Sequence, residues 1–201
     1  MGGGVNLFAA ENISKSFGKT QVLRNFSIEM NPGEITVLMG PSGCGKSTLL
    51  SILIGLISPD AGRVTGRPER LSVIFQENRL SEDFTALQNV TLVAPQKPIQ
   101  EAKKLLVAVG LQDALHQKTA ELSGGMKRRI AIARALFYDG GALLMDEPFK
   151  GLDQDTKETV MALVRGEVKN RPVLCITHDE KEAEFLGGRL IQMEPVALGF
   201  R

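Results

Sequence analysis

The 201-residue chain carries 24 Lys and Arg against 23 Asp and Glu, a formal net charge of +1. That balance excludes a bulk electrostatic role on nucleic acid or on an anionic membrane surface. Its 43% hydrophobic and 23% charged content is that of a globular protein, with one domain or a domain plus a subdomain. No apolar run reaches the roughly 18 residues of a membrane span, and the start, Met1 to Val5, has neither the basic region nor the apolar core of a secretory signal. Cys44 and Cys175 belong to no metal-ligand or C-x-x-C pattern, so reduced thiols in a cytosol are expected.

In chain order, Leu7–Phe17, Gln21–Met30 and Glu34–Met39 read as strands, separated by turn signals at Phe17-Gly18-Lys19 and Asn31-Pro32-Gly33. The stretch Gly40-Pro41-Ser42-Gly43-Cys44-Gly45-Lys46-Ser47-Thr48 follows, and Leu49–Ile54 then reads as a helix. Ser58–Gly62 reads as a loop and Leu71–Phe75 as a buried strand. From Thr85 to Gly110 the pattern is helical, broken by Pro95 and Pro98 and clearest over Glu101–Val109. Ser123-Gly124-Gly125 opens a strong helical run to Phe137. The last third alternates: strand Ala142–Met145, helix Gln154–Lys169, strand Val173–Thr177, helix Asp179–Leu186 and short strand Arg189–Met193. Strands alternating with helices predict an α/β fold with a parallel sheet. An antiparallel β portion stands at the N-terminal side, and a small helical subdomain, at about 77–137, is inserted in the middle.

Gly40–Thr48 fits G-x-x-x-x-G-K-[ST] between an apolar strand and a helix, the pattern of a loop that cradles a nucleotide triphosphate. Its glycines allow backbone N–H groups to approach phosphate oxygens, and the following helix adds its positive dipole end. Lys46 is expected to reach the β- and γ-phosphates and Ser47 to ligate Mg²⁺. Asp146 and Glu147 end an apolar strand where ligands of open α/β sheets bind. That places Asp146 to hold Mg²⁺ and Glu147 to orient and deprotonate a water. Ser123 is a natural N-cap, and Gly124 and Gly125 leave the next helix open to an anion. Read alone, Lys127, Arg128 and Arg129 beyond it are solvated basic residues on a capped helix.

The pairing of these elements resembles the ATP-binding cassette (ABC) family of transport ATPases, over essentially the whole chain. Leu122-Ser123-Gly124-Gly125 is similar to the family signature. The resemblance implies further roles: Gln76 touching Mg²⁺ and the attacking water, Asp153 contacting an opposite subunit, His178 contacting the γ-phosphate, and Phe17 stacking on adenine. Glu147, His178 and Gln76 are thus the expected catalytic set, and Ser47, Gln76 and Asp146 the expected Mg²⁺ set. Two cassettes would face head to tail, with ATP on one chain meeting Ser123, Gly124 and Gly125 of the other. Met126 stands where glutamine is usual. With Gln76–Leu80 and Glu147–Asp153, it is similar to the branch importing nitrate, sulfonate, taurine and related solutes. An exporter ATPase or a non-transport cassette ATPase remains the alternative.

The resemblance also implies partners: a second ATPase subunit, expected to be a copy of this chain, integral-membrane permease subunits and, indirectly, a substrate-binding protein, with no nucleic acid. The expected place is the cytoplasmic face of the membrane, held there by the permease, with the isolated chain soluble. The chain is expected to be a single nucleotide-binding domain, without the C-terminal regulatory domain of some importer ATPases.

Overall fold

A computed structural model describes residues 7–166, 168 and 171–196; Met1–Val5 and the last residues of the expected 154–169 helix fall partly or wholly outside that set. Strands β1 (Phe8–Phe17) and β2 (Thr20–Met30) form a hairpin whose two-residue turn is Gly18-Lys19. Strand β3 (Ile35–Met39) leads through the glycine-rich loop into helix α1 (Lys46–Leu53). Strand β4 (Ala61–Thr65) returns to pair antiparallel with β1, giving a three-stranded sheet in the order β2-β1-β4. Strand β4 overlaps the expected Ser58–Gly62 loop at its first two residues only, and the sequence pattern marks no strand over the rest. Its five residues are exposed or half-buried with no apolar alternation, so backbone pairing and the Arg63–Glu11 ion pair (2.8 Å) decide its state rather than burial.

The remaining strands, β5 (Leu71–Ile74), β6 (Ala142–Asp146), β7 (Val173–Ile176) and β8 (Arg189–Gln192), join β3 in a second sheet ordered β5-β6-β7-β3-β8. Every pairing within it is parallel. Its central strands are buried on both faces, hence their continuous apolar runs. The alternation still sorts side chains. Val37, Leu143, Met145, Val173 and Cys175 join the core on one face, and Leu38, Leu144, Leu174 and Ile176 join the other beneath α1 and the antiparallel sheet.

Helices α2 (Ala86–Thr91), α3 (Ile99–Ala108) and α4 (Gly124–Tyr138) follow β5, and α5 (Gln154–Gly166) and α6 (Glu180–Leu186) flank β7. Thr85 and Gln88 close a reciprocal cap at the start of α2. Pro95 and Pro98 fall between α2 and α3, where a continuous helix would lose backbone donors. Apolar side chains of α2, α3 and α4 belong to the same buried cluster as one face of the parallel sheet. The middle helices therefore share the sheet's core through α4 instead of forming a separate one. Among the described residues no helix is long and apolar enough to cross a membrane.

Candidate active site

The parallel register places the carboxyl ends of β3, β5, β6 and β7 in one row. Leu38 and Asp146 both lie opposite Ile176, and Ile74 lies opposite Met145. The residues just beyond each strand therefore converge: the loop from Gly40, Gln76, Glu147 and His178. An open cavity of about 490 Å³ lies there, lined by Phe17, Ser42, Gly43, Gly45, Lys46, Ser47, Thr48, Gln76, Asp146, Glu147, Lys150 and His178. It occupies the position that ligands take in open α/β sheets.

Gly45 caps α1 with φ of 108°; a Cβ there would stand 2.8 Å from Leu23 Cδ2, so glycine is required both for the backbone sign and for the space. A Cβ on Gly40 would collide with the Met193 carbonyl. The amides of Lys46, Ser47 and Thr48 open α1 and have no partner one turn back, which leaves them available to an anion. Lys46 Nζ donates to the Gly40 and Pro41 carbonyls (2.6 and 2.9 Å), held across the mouth of the loop. The Cys44 side chain turns inward into the apolar cluster below α1, its sulfur 3.8 Å from Lys46 Nζ. Pro41 is exposed at the loop's rim.

Ser47 Oγ donates to Asp146 Oδ2 at 2.8 Å, joining the loop after β3 to the end of β6. Burial pushes the Asp146 carboxyl above its ordinary pKa; the Ser47 hydrogen bond opposes this, and the neighbouring Glu147 charge adds to it. A buried carboxylate that gains from added positive charge, next to a hydroxyl, is a hard-oxygen donor pair of the kind Mg²⁺ prefers. No cluster of three or more His, Cys, Asp or Glu able to hold a metal occurs among the described residues.

Glu147 has φ of 48°, a left-handed conformation that costs a non-glycine residue about 1–3 kcal/mol. Its amide donates to Ile176 O (2.9 Å), and its Oε1 lies 2.7 Å from His178 Nδ1. Asp179, next to that histidine, caps α6 through the Lys181 amide (2.9 Å). Thr177 Oγ1 donates to the buried Glu182 (2.6 Å), and Lys157 Nζ pairs with both Glu182 (2.8 Å) and Asp179 (3.2 Å). Burial works against charge on Asp179, but the Lys157 and backbone hydrogen bonds outweigh it and hold its pKa down. The same partners raise Lys157 against the pull of desolvation. His178 is thus carried on a turn fixed by a charge network between α5 and α6.

Phe17 is half exposed on the cavity rim (51%), with Lys15 Nζ 5.7 Å from the ring centre. The structure does not bring Ser123, Gly124, Gly125 or Asp153 to this cavity. Ser123 and Gly124 are exposed, with Ser123 Oγ accepting from the Met126 amide (3.3 Å) as the cap of α4. Asp153 accepts from the Thr156 amide (3.0 Å) at the start of α5, and that bond lowers its pKa. A Cβ on Gly125 would lie 3.4 Å from Gly151 O, so the two exposed turns are neighbours.

Sequence reasoning passed over three residues and misread a fourth. Lys150 lines the cavity, and nothing in its local pattern marks it. Glu182 and Lys157 are visible only through tertiary pairing. Arg128, read as solvated, is 3% exposed. It precedes the buried Ile132 and Leu136 by four and eight residues, a helical spacing that signals the buried face.

The ABC transporter family model matches residues 23–150, which spans the glycine-rich loop at Gly40–Thr48, the Ser123 turn and both acids. The chain belongs to the ABC transporter ATPase family. It is an ATPase of that family. It is 39% identical over 204 residues to the taurine import ATP-binding protein TauB of Pseudomonas aeruginosa, covering 92% of this chain and 78% of that one. It is 38% identical over 226 residues to the lipoprotein-releasing system ATP-binding protein LolD 2 of Rhodospirillum rubrum, covering 94% and 97%. Among solved structures, the dimeric bacterial ABC transporter cassette MJ0796 is similar with a TM-score of 0.84 and 30% identity, covering 93% of this chain and 94% of that chain.

The Lys157 network gives a stability prediction for this ABC ATPase. Lys157→Met leaves the buried Glu182 without its cation and should destabilise the fold by about 1–3 kcal/mol at neutral pH. Asp179 has a depressed folded pKa, so its share is present above the unfolded carboxylate value near ~3.9 and fades as pH falls below it. Thermal unfolding from pH 7 downward should show the gap to wild type narrowing in that acid range. A gap that does not change with pH contradicts the assigned pairing.

Proposed function

We propose that this ATPase works as a head-to-tail pair of identical chains that drives a membrane permease, with each ATP held between the two copies. The observation that carries the reading is a separation. One cavity gathers Lys46, Ser47, Gln76, Asp146, Glu147 and His178, while Ser123 and Gly124 stand exposed outside it at the N-terminus of the 15-residue helix α4. An anion-binding helix end that cannot serve its own chain's cavity is suited to another's. That the similar cassette MJ0796 is dimeric supports a pair, and Asp153, beside the Gly125 turn, would lie on the contact.

In this reading residues Gly40 to Thr48 wrap the phosphates, Lys46 balances their charge and Phe17 stacks on the base. Ser47 and Asp146, with Gln76, would hold Mg²⁺, which when bound neutralises phosphate charge. Glu147 accepts a proton from water as the water oxygen bonds to the γ-phosphorus. The bond from that phosphorus to the bridging oxygen of ADP breaks, releasing ADP and phosphate. His178, hydrogen-bonded to Glu147, orients the carboxylate and faces the γ-phosphate. The chemistry needs positioning more than covalent help, because the transition state is loose. Loss of the γ-phosphate removes the contacts bridging the copies and reopens the pair.

The chain is read as one nucleotide-binding domain with a helical subdomain at about 77–137, placed at the cytoplasmic face through its permease. TauB supports import of a taurine-like or sulfonate-like solute, in agreement with the Gln76–Leu80 and Glu147–Asp153 segments. LolD 2 supports a second reading, in which the same chemistry powers lipoprotein release.

Glu147→Gln should lower ATP turnover by about 10²–10⁴-fold, the usual loss for a general base, with ATP affinity kept; wild-type turnover removes Glu147 from that role. Ser123→Arg should abolish hydrolysis while fluorescent-nucleotide titration finds the affinity of the isolated chain unchanged. Full hydrolysis by that variant would show that Ser123 takes no part in the working site.

A further inference from the structure

Arg128 makes more hydrogen bonds than any role on a solvated helix face requires. Its Nε donates to Pro148 O (2.7 Å). Nη1 donates to Phe75 O (2.6 Å), Asn78 Oδ1 (3.2 Å) and Gln76 O (3.4 Å). Nη2 donates to Asp146 O (2.9 Å) and Glu147 O (2.6 Å). One buried guanidinium therefore holds the backbone just beyond β5 and just beyond β6 at once. Arg134, also on α4, donates to the Arg79 and Asn78 carbonyls (2.7 and 2.9 Å) and so holds the segment beyond β5 alone.

Burying a cation is costly unless its donors are satisfied. Arg128 meets that cost with carbonyl and amide dipoles, and among the described residues no carboxylate is paired to it directly. Desolvation lowers its pKa, and the charges of Asp146 and Glu147 oppose this. Only a planar fork of donors can reach carbonyls on two strand ends in one plane; a lysine offers three donors from a single point.

We infer that Arg128 is a positioning residue for ATP hydrolysis, locking the backbone of Gln76 and Glu147 to each other and to the helix that begins at Ser123. This rests on the roles proposed above for Gln76 and Glu147. Glu147 holds a left-handed φ that persists only if its surroundings impose it, and its carbonyl is one of the two shortest contacts of the arginine. A rigid link from α4 to both segments also means that α4 cannot shift, as when its N-terminus takes up an anion, without moving the groups that handle the water.

The test compares Arg128→Lys and Arg128→Gln in steady-state hydrolysis and in nucleotide titration, with circular dichroism melting to establish folding. Lysine keeps the charge and glutamine keeps a planar donor. Misplacement of reacting groups by about 1 Å costs on the order of 10²-fold, so kcat should fall by about 10–100-fold in both variants while the Kd for ATP stays within about twofold. Folded variants with wild-type kcat overturn the inference. So does a loss of turnover that only follows lost ATP affinity, or the failure of both variants to fold, which would make Arg128 a structural residue. Glu147→Gln measured alongside separates the two claims: if that variant turns over normally, the role of Glu147 fails, whatever Arg128 does.

Discussion

Ile176 lies opposite Leu38 on one side and Asp146 on the other, and this shared register is the constraint from which the site follows. A slip of one residue would turn Leu38, Leu144 and Leu174 out of the core they share and into the opposite face. Burial on both faces of the sheet thus fixes the strand ends to within one residue. The glycine-rich loop after β3, Gln76, the two acids and His178 meet because those ends are level. The hydrogen bond from Ser47 to Asp146 is the local expression of this alignment, between residues 99 positions apart.

Level strand ends do not by themselves orient side chains, and here buried charge does the rest. Arg128 satisfies carbonyls from two loops, and the Lys157–Glu182–Asp179 network fixes the turn carrying His178. Both devices lie on helices that pack on the same sheet face, α4 on one hand and α5 with α6 on the other. Apolar packing sets where the helices sit, while the polar networks set where the loops between strands and helices point.

Much of this was legible before any coordinates, for identifiable reasons. The Gly40–Thr48 loop declares itself because its glycines and lysine answer to backbone geometry. Strands β3, β6 and β7 are apolar apart from Thr36 and the terminal Asp146 because both their faces are covered. Strand β4 was invisible because its stability comes from pairing with β1 and an Arg63–Glu11 contact, neither of which leaves a periodic trace. Arg128 was misread for a related reason: a basic residue beside Lys127 and Arg129 looks solvated, and only its helical phase with Ile132 and Leu136 says otherwise. Ser123 was legible as the cap of α4, Asp153 drew its expected role from family resemblance alone, and the fold sets both apart from the cavity.

The central claim is that ATP is held between two copies of this chain. Light scattering on the Glu147→Gln protein, at high concentration with saturating MgATP and again with MgADP, addresses it directly. A mass twice that of the chain with ATP, returning to the single-chain mass with ADP, is the predicted result. A single-chain mass under full ATP occupancy would contradict the account.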